Sequence, residues 1–467
     1  MSKNKLNILY LASHGFAVRM LMQTNLLSRL THEGFSVGIV TTDSKDPSVK
    51  DYCNQYGISN IEFKETPKKY QAHYELVRRY VLEDVKKNPA LYEKHLRLRD
   101  LAAKNFSARL RYYNSNIIYS VVKLFPGIRA MYKKRESRFL NSAEADELIN
   151  KYNPDLVIST VPVNISEAKI LHSASKKGIK TVTQILSWDN ISCKGHFRKL
   201  TDEFIVWGEI MKNELISYYK IDPSKIYQTG VPHFDIHFQH KISGARNANA
   251  AKMPYIFFAM SSPYFAPREI DLVEKISTWV EDDTWPGLNF IIRPHPQNVI
   301  GNMADLNWLP RLQKLESKRV TVDYPSLNEN SGISWSMKQD DMHKMSELVG
   351  GSAIVLNSCS TMAIDGLCYD KPVIVTAFDN DEVLPWHISV KRVMEYEHYK
   401  NIVQSGGVRT VGNYNELKTA ISQYLSDPSV DRDKRAVILD REIGDADGKA
   451  TERVVSAIKK CLAGPTD

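Results

Sequence analysis

The sequence predicts an α/β protein built from two doubly wound domains in tandem. Short apolar strands alternate with helix-forming segments, and continuous apolar strands between helices are typical of parallel sheets covered on both faces. The alternation restarts after residues 241–252, a polar stretch of small residues that is typical of a linker. The length of 467 residues also exceeds what one hydrophobic core usually supports. We therefore expect one domain over residues 1–245 and a second over 253–445.

The predicted elements follow the same order in both domains. In the first domain, strands are expected at 6–12, 35–40, 155–159, 180–186 and 203–207, with helices at 18–33 and near 166–177. In the second domain, strands are expected at 255–259, 289–292, 320–323, 353–356 and 372–376, with a helix at 269–280. Ligands of such sheets bind at the carboxyl ends of the strands, so the loops after these strands are candidate sites.

The positive charge of the chain is concentrated in one segment. The net charge is +8, from 62 Lys and Arg against 54 Asp and Glu. Residues 68–139 hold 18 basic and 6 acidic residues, which leaves 44 basic and 48 acidic residues elsewhere. Because residues 68–140 are also helix-forming and interrupt the α/β alternation, we expect a basic helical insertion in the first domain.

Two interpretations of this insertion remain open. One helix face is expected to be apolar, and it carries Ile117, Ile118, Val121, Val122 and Phe125. An amphipathic basic helix is suited to an anionic membrane surface or to an anionic acceptor. Alternatively, the insertion packs on its own domain and leaves a solvated basic face. No RNA- or DNA-binding module accompanies it, so we expect no nucleic-acid partner.

Cysteine usage and hydropathy favour a cytoplasmic protein. The five cysteines are odd in number, widely spaced and without a CxxC pair, which argues against a disulfide framework or a zinc ribbon. No apolar run approaches the roughly 18 residues of a membrane span. The apolar stretch 6–12 is short and lacks the cleavage site of a signal peptide. We expect a cytoplasmic location, with peripheral contact at the inner face of the cytoplasmic membrane as an alternative.

A strand that passes directly into a helix is predicted over residues 353–365. Ser358, Ser360 and Thr361 lie at this junction, where hydroxyls and free backbone N–H groups can bind an anion such as a diphosphate. Asp365 lies about one turn further and can accept hydrogen bonds from ribose hydroxyls. Helix capping by serine or threonine explains the same pattern without a ligand, and both interpretations remain open.

Arg293 and His295 form a second motif, directly after the predicted strand 289–292. Pro294 and Pro296 remove backbone donors and stiffen this loop. A guanidinium and an imidazole held there can bind phosphate, and His295 can also donate a proton. A rigid turn without a ligand is the alternative, but the position at a strand end favours function.

A third set of residues follows the predicted strand 180–186. Asp189 is a candidate general base, because a carboxylate can take a proton from an attacking hydroxyl. Asn190 and Lys194 are candidates to hold the acceptor or a phosphate, although a simple Asx turn explains Asp-Asn equally well. His14 follows the first strand and is a second candidate base, beside Gly15, which permits close approach of a ligand.

Motifs for a metal or a dinucleotide cofactor are missing from the sequence. The chain has no Walker GxxxxGK[ST], HExxH or GxSxG motif, no DxD metal motif in a convincing loop, and no Cys/His spacing that suits a metal. His14-Gly15 lacks the other glycines of a dinucleotide fingerprint. We therefore expect neither a metal ion nor a cofactor.

Taken together, these motifs resemble those of GT-B glycosyltransferases, and more closely those of the bacterial surface-polysaccharide branch. In such enzymes an acidic residue often stands seven positions before the Pro of a G-x-P-V-I-like strand start, as Asp365 does before Pro372. The usual Gly two positions before that Pro is Asp370 here, and Asp tolerates a left-handed backbone. Residues 447–453 resemble the segment that opens the final helix. The resemblance implies two Rossmann-like domains facing a cleft, and a C-terminal helix, 446–467, that crosses back to the first domain.

Residues 293–296 and the serine-rich turn are also similar to CDP-glycerol glycerophosphotransferases, in which that histidine belongs to the active site. Those proteins carry a Trp-His-Gly-Thr motif in the N-terminal domain. This chain has Trp188-Asp189-Asn190-Ile191 in the comparable place. The missing histidine favours sugar transfer over glycerol-phosphate transfer.

The resemblance implies a metal-independent glycosyltransferase that moves a sugar from a nucleotide-activated donor to a cell-surface polysaccharide or an anionic, lipid-linked glycan acceptor. The donor would be bound by Arg293, Ser358, Ser360, Thr361 and Asp365. His295 would stabilise the leaving diphosphate, and Asp189, or else His14, would deprotonate the acceptor if the reaction inverts. Three alternatives stay open: a CDP-alditol phosphotransferase, a UDP-sugar 2-epimerase, and a non-catalytic nucleotide- or lipid-binding protein.

Overall fold

The strands of the protein are short and mostly buried. The computed structural model describes residues 5–41, 43–65, 71–242, 253–299, 307–328, 338 and 340–463. In chain order its strands are β1 (Ile8–Ala12), β2 (Val37–Thr41), β3 (Ser59–Glu62), β4 (Leu156–Ser159), β5 (Lys180–Gln184), β6 (Glu203–Val206), β7 (Ile226–Gln228), β8 (Tyr255–Ala259), β9 (Asn289–Arg293), β10 (Val320–Val322), β11 (Ile354–Asn357), β12 (Val373–Thr376) and β13 (Arg409–Val411).

Helices connect these strands. In chain order they are α1 (Gly15–Met22), α2 (Leu26–His32), α3 (Pro47–Tyr56), α4 (Gln71–Leu82), α5 (Pro89–Lys104), α6 (Phe106–Leu124), α7 (Gly127–Glu136), α8 (Ala143–Tyr152), α9 (Ile165–Lys176), α10 (Glu209–Tyr219), α11 (Asp235–Ile242), α12 (Glu269–Glu281), α13 (Pro296–Val299), α14 (Trp308–Gln313), α15 (Asp340–Gly351), α16 (Met362–Cys368), α17 (Glu397–Val403), α18 (Tyr414–Ser426), α19 (Arg432–Ile443) and α20 (Ala450–Ala463). Short 3₁₀ helices occur at Ser137–Leu140, Pro223–Lys225, Pro232–Phe234 and Val390–Glu395.

The first sheet is parallel and has β1 near its centre. Within the described residues its strand order is β3-β2-β1-β4-β5-β6-β7. Ile8 of β1 lies opposite Val37 of β2 on one side and Leu156 of β4 on the other. All residues of β1 are buried, as expected for a strand between two layers of helices. The chain changes direction across the sheet between β1 and β4, and ligands bind beyond the strand ends at such a point.

The second sheet repeats this plan. Its order, for the part of the chain that is described, is β10-β9-β8-β11-β12-β13, and all paired strands are parallel. Ile256 of β8 lies opposite Phe290 of β9 and Ile354 of β11. The point where the strand order reverses is therefore β8, next to β9 and β11. The prediction of two doubly wound α/β domains is confirmed.

The helix predicted at 18–33 is two helices. Helix α1 ends at Met22 and α2 begins at Leu26. At the break, the Thr24 hydroxyl donates to the carbonyl of Met20 at 2.9 Å, and Thr24 is buried. Side-chain bonds of this kind compete with the helical pattern of backbone bonds. The apolar spacing continues through the break and therefore did not reveal it.

By their contacts, the described residues fall into two compact units. The first holds the residues up to Gly230 and those from Thr451 onward, and the second holds those from Val231 to Ala450. Helix α11, which the sequence analysis placed in the domain ending at 245, belongs to the second unit because it packs on α15 and α16. The predicted linker, 241–252, lies outside the described residues from 243 onward.

The last helix completes the core of the first unit. Val454, Val455, Ile458 and Cys461 of α20 are buried in the same apolar cluster as the side chains of β1 and β2. Lys459 on the exposed side forms an ion pair with Glu33. The end of the chain therefore stabilises the domain formed by its beginning.

The predicted helical insertion is present in the first unit and consists of helices α4 to α7. Arg78 of α4 and Glu136 of α7 form a buried ion pair, and Tyr74 donates to the same carboxylate at 3.1 Å. Arg78 also donates to the carbonyl of Phe197 at 3.0 Å, which fixes the insertion to its own unit. Throughout the described ranges, every helix is either too short or too polar to cross a bilayer.

Candidate functional site

In the first unit, the structure brings together four residues that the sequence analysis selected from two loops. Lys194 Nζ lies 2.9 Å from Asp189 Oδ1 and 3.0 Å from Asn190 Oδ1. His14, which precedes α1, lies close enough to Lys194 and Asp189 for both charges to affect its pKa. The loops after β1 and β5 therefore form one polar cluster, which we call the first-unit cluster: His14, Asp189, Asn190 and Lys194.

The carboxylate of Asp189 is held in one orientation. Its Oδ1 accepts a hydrogen bond from the Ser187 hydroxyl at 2.6 Å and pairs with Lys194. The side chain remains 27% exposed, so a substrate hydroxyl can reach it. Asn190 is buried, and its side-chain oxygen accepts from Lys194. A partly exposed carboxylate of this kind can take a proton from a hydroxyl, and Asn190 helps to hold Lys194 beside it.

The surroundings of His14 favour the neutral form of its imidazole. Burial lowers its pKa most, the positive charge of Lys194 lowers it further, and Asp189 opposes both effects. Nδ1 accepts a hydrogen bond from the backbone amide of Phe16 at 3.2 Å, so the proton of the neutral ring is assigned to Nε2. In this state Nε2 carries the proton and is a hydrogen-bond donor. To act as a base through Nδ1, His14 would have to release the amide at the start of α1.

Glu167, which the sequence analysis did not select, joins the loops after β1 and β4. Its Oε1 accepts from the Ser13 amide and hydroxyl at 3.1 and 2.5 Å. Its Oε2 accepts from the Ser159 hydroxyl at 2.6 Å and from the amides of Thr160 and Val161 at 3.0 and 2.9 Å. A buried carboxylate with these five donors orders the loops around it. Glu167 is therefore a positioning residue at the edge of the first sheet.

In the second unit, the predicted phosphate-binding hydroxyls lie between β11 and α16. Ser358 is buried, and its hydroxyl shares a hydrogen bond with that of Thr376 at 2.8 Å. Ser360 Oγ accepts from the amide of Met362 at 3.2 Å. Thr361 is the residue at the start of α16, and its side chain caps no amide of this helix. Ser360 and Thr361 are half-buried and accessible to a ligand, whereas Ser358 faces the sheet.

Glu269, at the first residue of α12, is a candidate that the sequence analysis missed. The carboxyl group is buried, and Oε2 accepts from the amide of Ser261 at 2.6 Å. Oε1 is buried and has no hydrogen-bond partner among the described residues. Burial raises the pKa of Glu269 to about 7, and its polar neighbours Ser358 and Ser261 oppose this shift. A group of this kind can hold or release a proton at neutral pH.

Three loops of the second unit meet beside Glu269. Asn298 Nδ2 donates to the carbonyl of Ser261 at 3.1 Å, and the Cys359 thiol lies 3.3 Å from the Ser261 hydroxyl. Asn298 is fully buried, and its Oδ1 makes no hydrogen bond to any part of the chain that the structure describes. The loops after β8, β9 and β11 thus form what we call the second-unit edge: Ser261, Glu269, Asn298 and the residues 358–361.

Arg293 has different partners from the phosphate that the sequence analysis expected. Its guanidinium is buried and forms ion pairs with Asp323 and with Asp341, the latter at 2.5 Å. Asp323 also pairs with Lys344, and Asp341 accepts from the amide of Ser326 at 2.9 Å. This network ties β9 to α15 and to the loop after β10. A direct phosphate contact would require Arg293 to leave one of the two carboxylates.

His295 is half-buried in the loop after β9. Its Nδ1 accepts from the amide of Gln297 at 3.1 Å, and its carbonyl accepts from the amide of Asn298 at 2.7 Å. In the neutral ring the proton is therefore assigned to Nε2, which can donate to a phosphate oxygen.

Asp365, the expected ribose ligand, is bonded inside the second unit. Its Oδ1 lies 2.8 Å from His237 Nε2, and His237 Nδ1 lies 3.0 Å from the Ser346 hydroxyl. That hydroxyl lies 2.6 Å from the hydroxyl of Tyr369. A ribose bound at Asp365 would share the carboxylate with His237. Nothing in the local sequence indicates this partner, which lies on a different helix.

Asp370 has the left-handed backbone that its position requires. Its φ is 54°, the region that glycine adopts most readily. The carboxylate pairs with Arg432 at 2.8 Å and Arg435 at 3.0 Å. The replacement of the usual glycine is thus accompanied by two ion pairs on α19.

Comparison with known proteins found similarity at the level of structure. No family model matches the chain, and no curated protein matches its sequence. A Listeria monocytogenes protein described provisionally as a UDP-N-acetylglucosamine 2-epimerase matches with a TM-score of 0.56 and 12% identity, covering 99% of this chain and 98% of that one. The UDP-GlcNAc 2-epimerase from Neisseria meningitidis bound to UDP-GlcNAc has a TM-score of 0.53 at 12% identity, with 97% and 100% covered. That from Methanocaldococcus jannaschii has a TM-score of 0.52 at 13% identity, with 97% and 99% covered.

These matches extend over nearly the whole of each chain, whereas their sequences are almost unrelated to this one. They therefore show a shared fold, which is the two-domain doubly wound fold that the resemblance to GT-B enzymes implies. In its fold, this chain is similar to enzymes that are named for their action on a UDP-sugar.

Proposed function

We propose that this chain is an enzyme that acts on a nucleotide-activated sugar, and that its second unit binds the nucleotide. One observation carries the proposal. The full-length structural similarity to UDP-GlcNAc 2-epimerases coincides with a second-unit edge rich in hydroxyl, amide and carboxyl groups, at the point where doubly wound sheets bind ligands.

In this proposal the diphosphate lies against the start of α16. Ser360 and Thr361 offer hydroxyls, and His295 offers Nε2–H. These donors stabilise the negative charge that develops on the leaving diphosphate. The reaction is proposed to be metal-independent, with the nucleotide sugar as substrate and no cofactor. Arg293 supports this loop through Asp323 and Asp341 and acts as a positioning residue.

The preferred reaction is glycosyl transfer with Asp189 as general base. Asp189 takes the proton of an acceptor hydroxyl, and the hydroxyl oxygen forms a bond to the anomeric carbon of the sugar. The bond from that carbon to the diphosphate breaks, and its electron pair leaves with the nucleotide. Lys194 and Ser187 keep the carboxylate in place. The motifs that resemble those of GT-B glycosyltransferases, Asp365 seven positions before Pro372 and residues 447–453, favour transfer.

Epimerisation at C2 of a UDP-sugar is the second candidate, and the similar structures favour it. Such a reaction removes and returns a proton on the donor sugar itself and needs no acceptor. The first-unit cluster would then act on the sugar, with Asp189 and His14 as the groups that exchange protons. The second-unit edge would hold the nucleotide as in the first candidate.

One experiment separates these reactions. The purified chain is incubated with a panel of nucleotide sugars and CDP-alditols, with and without membrane extract, and the products are analysed by mass spectrometry. Joined sugars together with released nucleotide support transfer, whereas an isomerised donor without joined sugars shows an epimerase. Transfer from a CDP-alditol shows a phosphotransferase. Saturable nucleotide binding without turnover of any donor shows a non-catalytic binding protein.

Substitution of Asp189 tests the proposed base. For the reaction identified in this way, Asp189→Asn is expected to lower kcat by about 10²–10⁴-fold, because the amide cannot accept the proton. The affinity for UDP, measured by calorimetry, is expected to stay the same. Asp51→Asn, on the exposed side of α3, is the matched control and should leave kcat unchanged. An unchanged kcat in Asp189→Asn would contradict the role of Asp189.

A further inference from the structure

Helix α6 of the insertion presents large apolar side chains to solvent along its whole length. They recur at intervals of three or four residues, so they share one face of the helix. Their exposed fractions run from 40% to 73%. This face, which we call the outer stripe, consists of Phe106, Leu110, Tyr113, Ile117, Val121 and Leu124.

Within the described part of the first unit, only the opposite face of α6 packs against other helices. Val122 is buried against Val81 and Leu82 of α4, and Ile118 packs in the same place. Tyr119 donates to Asp84 at 3.0 Å. The helix is therefore apolar on two faces, and the fold of the unit uses one of them.

The outer stripe is part of a local concentration of exposed apolar side chains. Among the described residues, fifteen large apolar side chains are exposed, and ten of them lie between Leu101 and Phe139. The other five are scattered through the rest of the chain. Single exposed apolar residues are ordinary on a soluble protein, but a contiguous patch is typical of an interaction surface.

The charges beside the stripe are positive. Residues 101–140 contain nine Lys and Arg and a single acidic residue, Glu136, which is buried in its pair with Arg78. At about 100° per residue, Arg109 and Lys123 fall on one side of the outer stripe and Arg111 on the other. All three are exposed. An apolar face bordered by cations is the pattern of a helix that lies in the interface of an anionic bilayer.

We propose that the outer stripe of α6 binds the surface of an anionic lipid bilayer. The helix lies parallel to the membrane over about 28 Å, its apolar side chains enter the boundary of the acyl chains, and the flanking cations contact lipid phosphates. This role goes beyond the proposed reaction and does not depend on it.

The positive charges beside the outer stripe favour anionic lipid over other partners for this face of α6. A second copy of the chain on the same face would oppose cations to cations. A nucleic acid would satisfy the cations but leave aliphatic side chains such as Ile117 and Val121 in contact with water. Anionic lipid matches both the charge and the apolar surface.

The test uses the full chain and flotation with vesicles of phosphatidylcholine alone or with about 30% phosphatidylglycerol. We expect binding to the anionic vesicles and a steep loss of binding with added salt. The triple variant Phe106→Ser, Ile117→Ser, Leu124→Ser should lower the bound fraction about tenfold or more. Arg109→Ala with Lys123→Ala, which removes the two cations on one side of the stripe, should weaken binding about fivefold for each charge removed. The control is Leu200→Ser, Val383→Ser, Val437→Ser, three exposed apolar residues outside the insertion, and it should bind like the wild type.

Several results would overturn the proposal. They are the absence of wild-type binding at low salt, equal binding to neutral vesicles, and undiminished binding by the stripe variant. A lower melting temperature of the stripe variant would mean that these side chains pack within the protein. A wild-type dimer that the stripe variant converts to a monomer would assign the face to self-association. Binding to an acidic protein but not to vesicles would assign it to a protein partner.

Discussion

Glu269 ties the stability of the second unit to pH. The carboxyl group is 3% exposed, and burial raises its pKa from 4.5 to about 7. Between these two pH values the native protein keeps a proton on Glu269 that the unfolded chain has lost. This stabilisation is fully present below about pH 4.5 and is lost as the pH rises through 7. The shift corresponds to about 3 kcal/mol of unfolding free energy.

Glu269→Gln should remove this dependence, because an amide does not titrate. Melting temperatures of the wild type and the variant are measured from pH 5 to pH 8. The variant is expected to gain stability relative to the wild type as the pH rises through this window. Glu347→Gln, exposed on α15 of the same unit, is the control and should follow the wild type. Parallel curves for the wild type and Glu269→Gln would contradict the raised pKa.

The buried ion pairs of Arg293 should contribute strongly to the stability of the second unit. Arg293→Ala leaves the carboxylates of Asp323 and Asp341 buried without this cation. Removal of one partner from a buried ionic group typically costs about 3–5 kcal/mol, so urea unfolding should show a loss of this size. Arg268→Ala breaks a surface pair with Glu382 and should cost about 1 kcal/mol or less. A stable Arg293→Ala protein with weakened UDP binding would instead support a direct phosphate contact.

At the scale of elements, α20 should be essential to the stability of the first unit. Ile458 is fully buried among the side chains of β1 and β2. Ile458→Ala removes this packing and leaves a cavity, which typically costs about 2–5 kcal/mol, and denaturant unfolding measures the loss. Ser456→Ala, on the exposed side of the same helix, should change the unfolding free energy little. Equal effects of the two variants would mean that α20 is not part of this core.

The sequence identified the central strands and one edge strand, β10, but missed the other three edge strands. Strands such as β1 and β11 are continuous apolar runs because helices cover both of their faces. The unpredicted strands β3, β7 and β13 lie at the edges of their sheets in the described order, where their side chains are partly exposed. They therefore lack the apolar run on which the prediction depended.

Helix α6 shows a similar limit of periodicity. The apolar residues from Ile117 to Phe125 predicted one apolar face. The structure divides them, with Val122 buried and Ile117, Val121 and Phe125 exposed. Spacing reveals which residues share a side of a helix, but the neighbouring helices determine which side is covered.

At the scale of the whole molecule, sequence reasoning found the loops of the candidate site but not the partners within them. Strand ends are local features, so His14, Asp189 and His295 could be selected from the strand that precedes each of them. Long-range partners have no local signal. Asp341 is 48 residues from Arg293, and His237 is 128 residues from Asp365. An acidic residue at the start of a helix, such as Glu269, is usually solvated, so its sequence position does not indicate that it is buried. Its burial becomes visible only in the folded unit.

The division into two units predicts where a nucleotide should protect the chain. If the second unit binds it, UDP should slow hydrogen exchange in residues 260–268 and 357–365, with little change in residues 13–19 and 187–194 of the first unit. A ligand at 100 times its Kd stabilises the native state by about 2.7 kcal/mol, so amides that exchange only after the ligand leaves should slow about 100-fold.

Thr361→Val removes one proposed phosphate donor and should reduce this protection at a fixed UDP concentration. Thr278→Val, on the outer side of α12, is the matched control. UDP protection confined to the first unit would reverse the assignment of the two units. Protection in neither unit at saturating UDP would remove the ground for a nucleotide-dependent function. The membrane proposal would be unaffected by either outcome, because the outer stripe is tested by lipid binding alone.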